Sequence, residues 1–253
     1  MSFVVEDVAI FAGMIAALLV FFEIGFRRGQ HATEDLTSAE GGQVGVIQAA
    51  LLGLLGLLLA FSFAAAGARF LERQDLIVQE ANAIGTSYLR ADLLAEPHKT
   101  ELRSALKRYT EHRIQATAGP SGTSDPAIAA EVEVLHARIW SAAIAGVRNN
   151  PDLALSVLPP LNDVIDLHST RVAAVRKHIP GVVFGLLLVC SALSIAMIGY
   201  GCGTAGRRRA PLTVSLTLIV AASLWITFDL DHPRRGLLQL SDAPLQALKF
   251  DAP

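Results

Sequence analysis

The sequence predicts an all-α integral membrane protein with four spans and a helical module between the second and third. Three observations carry that reading. Four apolar stretches, Val4 to Phe26, Val44 to Ala68, Pro180 to Cys202 and Pro211 to Leu230, each approach the ~20 residues that cross a hydrocarbon core about 30 Å thick. The chain is 52% hydrophobic and only 17% charged, with a mean hydropathy of +0.46, which is too apolar for a soluble domain. Between the second and third stretches lies a polar insert whose apolar residues recur at helical spacing. The organisation is therefore a transmembrane hairpin (1–68), a helical soluble module (69–179), a second transmembrane hairpin (180–230) and a C-terminal tail (231–253).

The first span is expected to stay in the membrane. Glu6 and Asp7 stand where a cleavable signal would carry basic residues, and the apolar run behind them is too long for one. Glu23 lies inside an apolar stretch, and its place near Arg27 and the interface fits pairing and snorkelling rather than a proton relay. Cys190 and Cys202 share the third span about 18 Å apart along the axis, too far for a disulfide. In the second span Gly53, Gly56 and Ala60 offer small surfaces for close helix contact.

The sidedness of the insert stays open. The hairpin loops carry Arg27, Arg28 and Arg207 to Arg209, whereas Arg69, Arg73, Arg171, Arg176, Lys177, Arg234 and Arg235 sit near the span ends on the other side. Short loops weigh most in the positive-inside rule, so the compact Arg207-Arg208-Arg209 cluster argues for hairpin loops inside and the insert outside.

The insert reads as four helices. From Phe70 to Leu94, Ile77, Ala81, Ile84 and Tyr88 form one apolar face. Pro97 suits the first turn of a second helix with Leu102, Leu106 and Tyr109 inward, and the Gly- and Pro-rich segment from Ala118 to Pro126 ends it. A third helix presents Ile128, Val132, Leu135 and Ile139 and stops at Asn149-Asn150-Pro151. The fourth is expected to begin at Pro159-Pro160, to carry the packing stripe Leu161, Ile165, His168, Val172, Val175 and Ile179, and to run directly into the third span. His168 in that stripe reads as a core or interface histidine with one hydrogen-bond partner.

No breaker separates the second span from the first insert helix. As one continuous helix they align Leu57, Phe61, Ala64 and Ala68 with Asp75, Gln79, Asn82 and Thr86 on a single stripe, opposite the Ile77 to Tyr88 face. Any amphipathic helix leaving a membrane shows such a change from apolar to polar. In a ring of identical subunits the same stripe would form an apolar neck at Leu57 and Phe61 and a polar vestibule at Asp75, Gln79, Asn82 and Thr86, an arrangement that gates by dewetting. Arg69, Arg73 and Glu80 lie beside the apolar face and are read as structural ion-pairing residues, with Arg171 the expected partner of Glu80.

These residues also carry a family resemblance. Leu59-Ala-Phe61, Arg69-Phe70, Arg73, Glu80-Ala-Asn-Ala-Ile-Gly-Thr86, Tyr88-Leu-Arg90, Leu161-Asn162, Ile165-Asp166, Arg171 and Asp229-Leu-Asp-His-Pro-Arg-Arg-Gly236 resemble the bestrophin-like family of bacterial membrane proteins of unknown function. The resemblance runs from Leu51 to Leu245. It implies a distant similarity to bestrophins, pentameric ion channels with four spans per subunit, a helical region between the second and third, and a neck from the second span just ahead of an Arg-aromatic pair. Leu57 and Phe61 stand at the matching places before Arg69-Phe70-Leu-Glu-Arg73. The insert is shorter than the bestrophin cytosolic region and lacks the acidic cluster that binds calcium in animal members, so calcium gating is not implied. The resemblance also implies an insert in the cytosol, the opposite of the loop-charge argument.

Other functions lack their marks. A net charge of −2 supplies no basic field for nucleic acid. There is no His-Glu-x-x-His, no phosphate-cradling glycine loop, no nucleophile elbow and no Cys-x-x-Cys, so neither enzymatic activity nor a cofactor is expected. The Asp229-Leu-Asp231-His232 cluster beside Pro233 reads as helix termination at the membrane surface rather than as a metal site. The expected function is a homo-oligomeric ion channel in the bacterial cell membrane, five-fold as the resemblance implies, with the lipid bilayer, further copies of the chain and small ions as partners. The alternative is a non-conducting sensor or scaffold that uses the Leu161 to Ile179 stripe for protein contacts.

Overall fold

The computed structural model of the chain describes residues 2–32, 38–118, 126–208, 210–233 and 237–250. The interior of the predicted turn between Ala118 and Pro126, Arg209 and the Arg234 to Gly236 segment lie outside them. Every regular element among the described residues is helical: α1 Ser2–Ala32, α2 Ser38–Arg90, α3 His98–Ala118, α4 Pro126–Val147, α5 Ala154–Arg176, α6 Gly181–Thr204, α7 Ala210–Asp231 and the short α8 Ala243–Gln246. Two 3₁₀ turns, Ala91–Leu93 and Pro151–Leu153, join neighbouring helices. Four helical stretches, in α1, in α2, in the α5–α6 region and in α7, are long and apolar enough to cross a membrane.

The chain divides into two compact units, Met1–Phe70 with His178–Gln239, and Leu71–Lys177 with Leu240–Pro253. In the first, α1, α6, α7 and the N-terminal part of α2 bury Leu18, Phe22, Phe26, Leu55, Leu187, Ile195, Val220, Ala221 and Leu224. Its outward surface is also apolar, with Val20, Phe21, Val182, Leu212 and Ile219 exposed, the pattern of helices facing hydrocarbon on one side and each other on the other. At its end α6 closes with Gly206 in the left-handed region at φ 63. Gly206 N–H donates to the Gly203 carbonyl and Arg207 N–H to the Cys202 carbonyl, which takes up two of the last free helix carbonyls.

Close packing in this unit falls on glycines other than those expected. A Cβ on Gly25 would meet the Ala196 carbonyl oxygen, one on Gly29 that of Tyr200, one on Gly199 that of Phe22 and one on Gly203 that of Phe26. Gly25 and Gly29 on α1 thus face Gly199 and Gly203 on α6, each pair four residues apart, and the two backbones touch. Gly53 and Gly56 have nothing within 4 Å of such a Cβ. Glu23 pairs with Arg27 at 2.9 Å and with Arg208 at 3.1 Å.

The second unit is a bundle of α3, α4, α5 and the C-terminal part of α2. Ile77, Ile84, Leu102, Leu106, Tyr109, Ile139, Leu161 and Val164 form its centre. The C-terminal residues are part of this core rather than a separate tail. Leu245 is buried in it, Leu240, Leu248 and Phe250 pack against it, and Phe250 meets the Tyr88 ring edge-on at 4.9 Å. Gln74 donates to the Ser241 carbonyl and accepts from Ser241 N–H, which fixes the returning strand of chain.

Two helix boundaries differ from expectation, and proline is involved in both, once through its missing donor and once through its restriction of the preceding residue. First, α5 begins at Ala154, with Pro159 and Pro160 inside it. Pro160 cannot donate to the Ser156 carbonyl, and Arg90 Nη1 takes that acceptor at 2.6 Å instead. Second, α5 does not continue into α6. It stops at Arg176, Lys177 and Pro180 are extended, and α6 begins at Gly181. Pro180 disfavours a helical residue before it, and Arg73 donates to the Ala174 carbonyl at 3.2 Å, which also accepts the Lys177 N–H, and to the Lys177 carbonyl at 2.6 Å.

Candidate functional site

The candidate conduction stripe lies on α2. In the first unit Leu57 and Phe61 are 54% and 66% exposed, while Leu55, Ser62 and Ala66 on the other side of the helix are buried. In the second unit Asp75, Gln79 and Asn82 are exposed and Thr86 is half-buried, while Ile77, Glu80, Ala81 and Ile84 are buried. Gln79, Asn82 and Thr86 line an open groove of about 630 Å³. Its other wall is α5, with Asp163, Asp166 and Thr170. Asp75 lies outside that groove.

The four residues read as ion-pairing do not form one set. Glu80 is fully buried and receives three hydrogen bonds: Tyr109 Oη at 2.7 Å and Arg113 Nε at 3.0 Å on Oε1, and Arg171 Nη1 at 2.7 Å on Oε2. Arg73 serves the α5 terminus as described, and Arg69 lies 3.6 Å from Asp231. Sequence reasoning missed Arg113 and placed Tyr109 only in the apolar face. The signal was there: Leu102, Leu106, Tyr109 and Arg113 recur at steps of four, three and four, so Arg113 extends a buried stripe with a charge that requires a partner.

This buried centre holds two arginines against one carboxylate, and its field acts on its neighbours. The Tyr109 hydroxyl is pushed well above its usual range, first by burial and then by the Glu80 carboxylate, so it stays a donor. His168 Nδ1 lies 3.3 Å from Tyr109 Oη, and the His136 and His168 rings stand edge-on at 5.1 Å. Burial, then the Arg113 charge, lowers His168 to about 4. Burial also lowers His136, against the pull of Glu133 and Glu80.

The pH dependence follows from these directions. Both histidines stay neutral in the fold over the range where the unfolded chain takes protons, near 6.5. The contribution of these histidines to the stability of the second unit is therefore constant above about pH 6.5 and falls as pH drops from there towards about 4, where the His168 contribution ends. Trp140, on α4 in this unit, reports it: in a Trp225→Phe background the unfolding midpoint in detergent should decline over that interval, and His168→Gln should flatten the decline. A midpoint independent of pH in both proteins would refute the assignment.

A family model for the bestrophin-like domain matches residues 12–245. The chain belongs to the bestrophin-like family. No curated protein and no solved structure matches it. As a bestrophin-like protein it is an all-α multi-pass membrane protein. The family match spans both units, so the α2 stripe, the buried Glu80 centre and the Asp229-Leu-Asp231 segment all lie within the bestrophin-like domain.

The Asp229-Leu-Asp231-His232 segment ends α7 with both carboxylates buried. Asp229 accepts the N–H groups of Leu237 and Leu238 at 3.1 and 2.9 Å, which ties these two residues to the end of α7. Asp231 accepts Ile179 N–H at 3.0 Å, just ahead of the α6 N-terminus.

Proposed function

We propose that this bestrophin-like chain is a homo-oligomeric ion channel of the bacterial cell membrane, five-fold by its resemblance to bestrophins, in which small ions pass along α2. In this reading Leu57 and Phe61 form the dewetting neck, and Asp75, Gln79, Asn82 and Thr86 line the vestibule. No step of catalysis is assigned to it. The observation that supports the reading is that Leu57, Phe61, Asp75, Gln79 and Asn82 are exposed on the side of α2 opposite the buried Leu55, Ser62 and Ala66 in the first unit and Ile77, Ala81 and Ile84 in the second. Gly53 and Gly56 on the same helix, open in the single chain, provide small surfaces on which another copy can pack.

The scaffold alternative has less support. Leu161, which starts its stripe, is fully buried in the second unit, and Ile165, His168, Val172 and Val175 are half-buried, so little of that face is left for a partner.

Enlarging the neck tests the channel. Phe61→Ala in reconstituted liposomes should raise ion flux severalfold over the parent chain, because a smaller apolar side chain lowers the dewetting barrier. Negligible flux from both proteins, or a monomer in detergent, would sink the proposal.

A further inference from the structure

The geometry points to a binding site for one transition-metal dication of the zinc class at His178, Asp231 and His232, a reading independent of ion conduction. Asp231 and His232 are neighbours in sequence, but the third group comes from the non-helical link ahead of α6. His178, Asp231 and His232 each offer one ligand atom, and these atoms lie within 4.8 Å of one another. All three belong to the first unit.

The orientation of Asp231 is the strongest argument. Its side chain is only 4% exposed, and its two oxygens have different neighbours. Oδ1 faces Arg69 Nη1 at 3.6 Å. Oδ2 faces the imidazoles, with His178 Nδ1 at 3.3 Å and His232 Nδ1 at 3.9 Å. Ile179 N–H donates to both oxygens, at 3.2 and 3.0 Å. Capping Ile179 needs no imidazole, yet two rings stand on the Oδ2 side of the carboxylate, stacked at 4.5 Å and nearly parallel at 9°. Arg69 and the backbone N–H hold the carboxylate in the manner of groups that orient a metal ligand from behind.

The donor set selects the metal. Two imidazole nitrogens and one carboxylate oxygen suit Zn²⁺ and its neighbours, whereas Mg²⁺ and Ca²⁺ prefer all-oxygen shells. Ligands at about 2.0–2.1 Å from a tetrahedral zinc stand about 3.4 Å apart. The two carboxylate–imidazole edges, 3.3 and 3.9 Å, are close to that value. Parallel ring planes share no common ligand point, so metal binding requires the stacked pair to separate, with both side chains rotating until their Nδ1 lone pairs converge. Without metal, His178 Nδ1 lies 3.0 Å from the Asp231 carbonyl and His232 Nδ1 lies 3.1 Å from the Phe228 carbonyl. Binding exchanges these contacts: the proton that each Nδ1 donates to a carbonyl leaves it, the neutral ring carries its proton on Nε2 instead, and Nδ1 presents its lone pair. The Phe228 carbonyl still accepts His232 N–H at 3.1 Å. Three protein ligands leave the fourth position for water.

The test uses the full chain in detergent, stripped with a chelator and titrated with Zn²⁺ alone, with Mg²⁺ in parallel. One zinc per chain after desalting is expected, with a higher unfolding midpoint for Trp225 fluorescence in a Trp140→Phe background. His178→Ala with His232→Ala should lose the bound zinc and the shift, while His112→Ala, in the other unit, should keep both. Co²⁺ should give the visible absorption of a tetrahedral site in the parent chain and not in the double variant. His232→Gln, which keeps side-chain volume, replaces the double variant if that protein fails to fold. No retained zinc in the parent chain, equal zinc in parent and variants, or an equal shift from Mg²⁺ would overturn the assignment.

Discussion

Gly199→Val should strongly disrupt the first unit, and Gly199→Val with Gly203→Val should prevent recovery of a monodisperse protein. The added carbons would fall on the carbonyl oxygens of Phe22 and Phe26. Those oxygens belong to the α1 backbone and cannot move aside as a side-chain tip would, so the cost sits at or above the upper end of the about 1–3 kcal/mol typical of overpacking. Trp225 lies on α7, 5.8 Å from Phe11 on α1, and its fluorescence in a Trp140→Phe background reads the loss, together with size exclusion in detergent. Gly53→Val is the informative control. It meets nothing in a single chain, so a large effect there would locate a subunit contact on α2. If Gly199→Val proved as stable as the parent, the close α1–α6 contact would be wrong.

The second large effect is at Glu80. Glu80→Gln removes the carboxylate that pairs with both Arg113 and Arg171, so each of these buried cations loses that ion pair. Breaking a buried pair in this way costs about 3–5 kcal/mol. Tyr109→Phe removes one hydrogen bond from the same oxygen and should cost only about 1 kcal/mol. The order follows from what is left behind: two buried cations that have lost an ion pair in the first case and a carboxylate still held by two arginines in the second. Urea unfolding followed through Trp140 in a Trp225→Phe background ranks the two. Equal, small losses would show that water reaches Glu80. Because His168 is held down partly by the Arg113 charge, loss of the carboxylate should also lower the pH at which His168 protonates, while its burial is kept.

Much of the membrane unit was legible from single stretches of chain. Runs of about 20 apolar residues have one stable conformation in hydrocarbon, and α1, α2, α6 and α7 contain the predicted spans. The helical period likewise gave the inward faces of the second unit, down to Ile77, Ile84, Leu102 and Leu135. The α1–α6 contact could have been found from the Gly25-to-Gly29 and Gly199-to-Gly203 spacing, but spacing does not say which small-residue face has a partner, and the glycines first singled out, Gly53 and Gly56, face open space. The start of α5 was misplaced because Pro159-Pro160 reads as a helix start when the donor that replaces the lost bond, Arg90, lies 66 residues away.

The sequence by itself thus determined an all-helical chain with four spans, a polar module and one stripe on α2 that turns from apolar to polar, because helix period and hydrocarbon thickness act on neighbours within a few turns. Tertiary structure alone decided which distant groups share a charge or a carbonyl: Arg113 and Arg171 reach Glu80 across 33 and 91 residues, Arg73 reaches Ala174 across 101, and His178 reaches Asp231 across 53. A buried charge or a freed carbonyl requires some partner, but only the packing of helices selects the one that stands within hydrogen-bond distance.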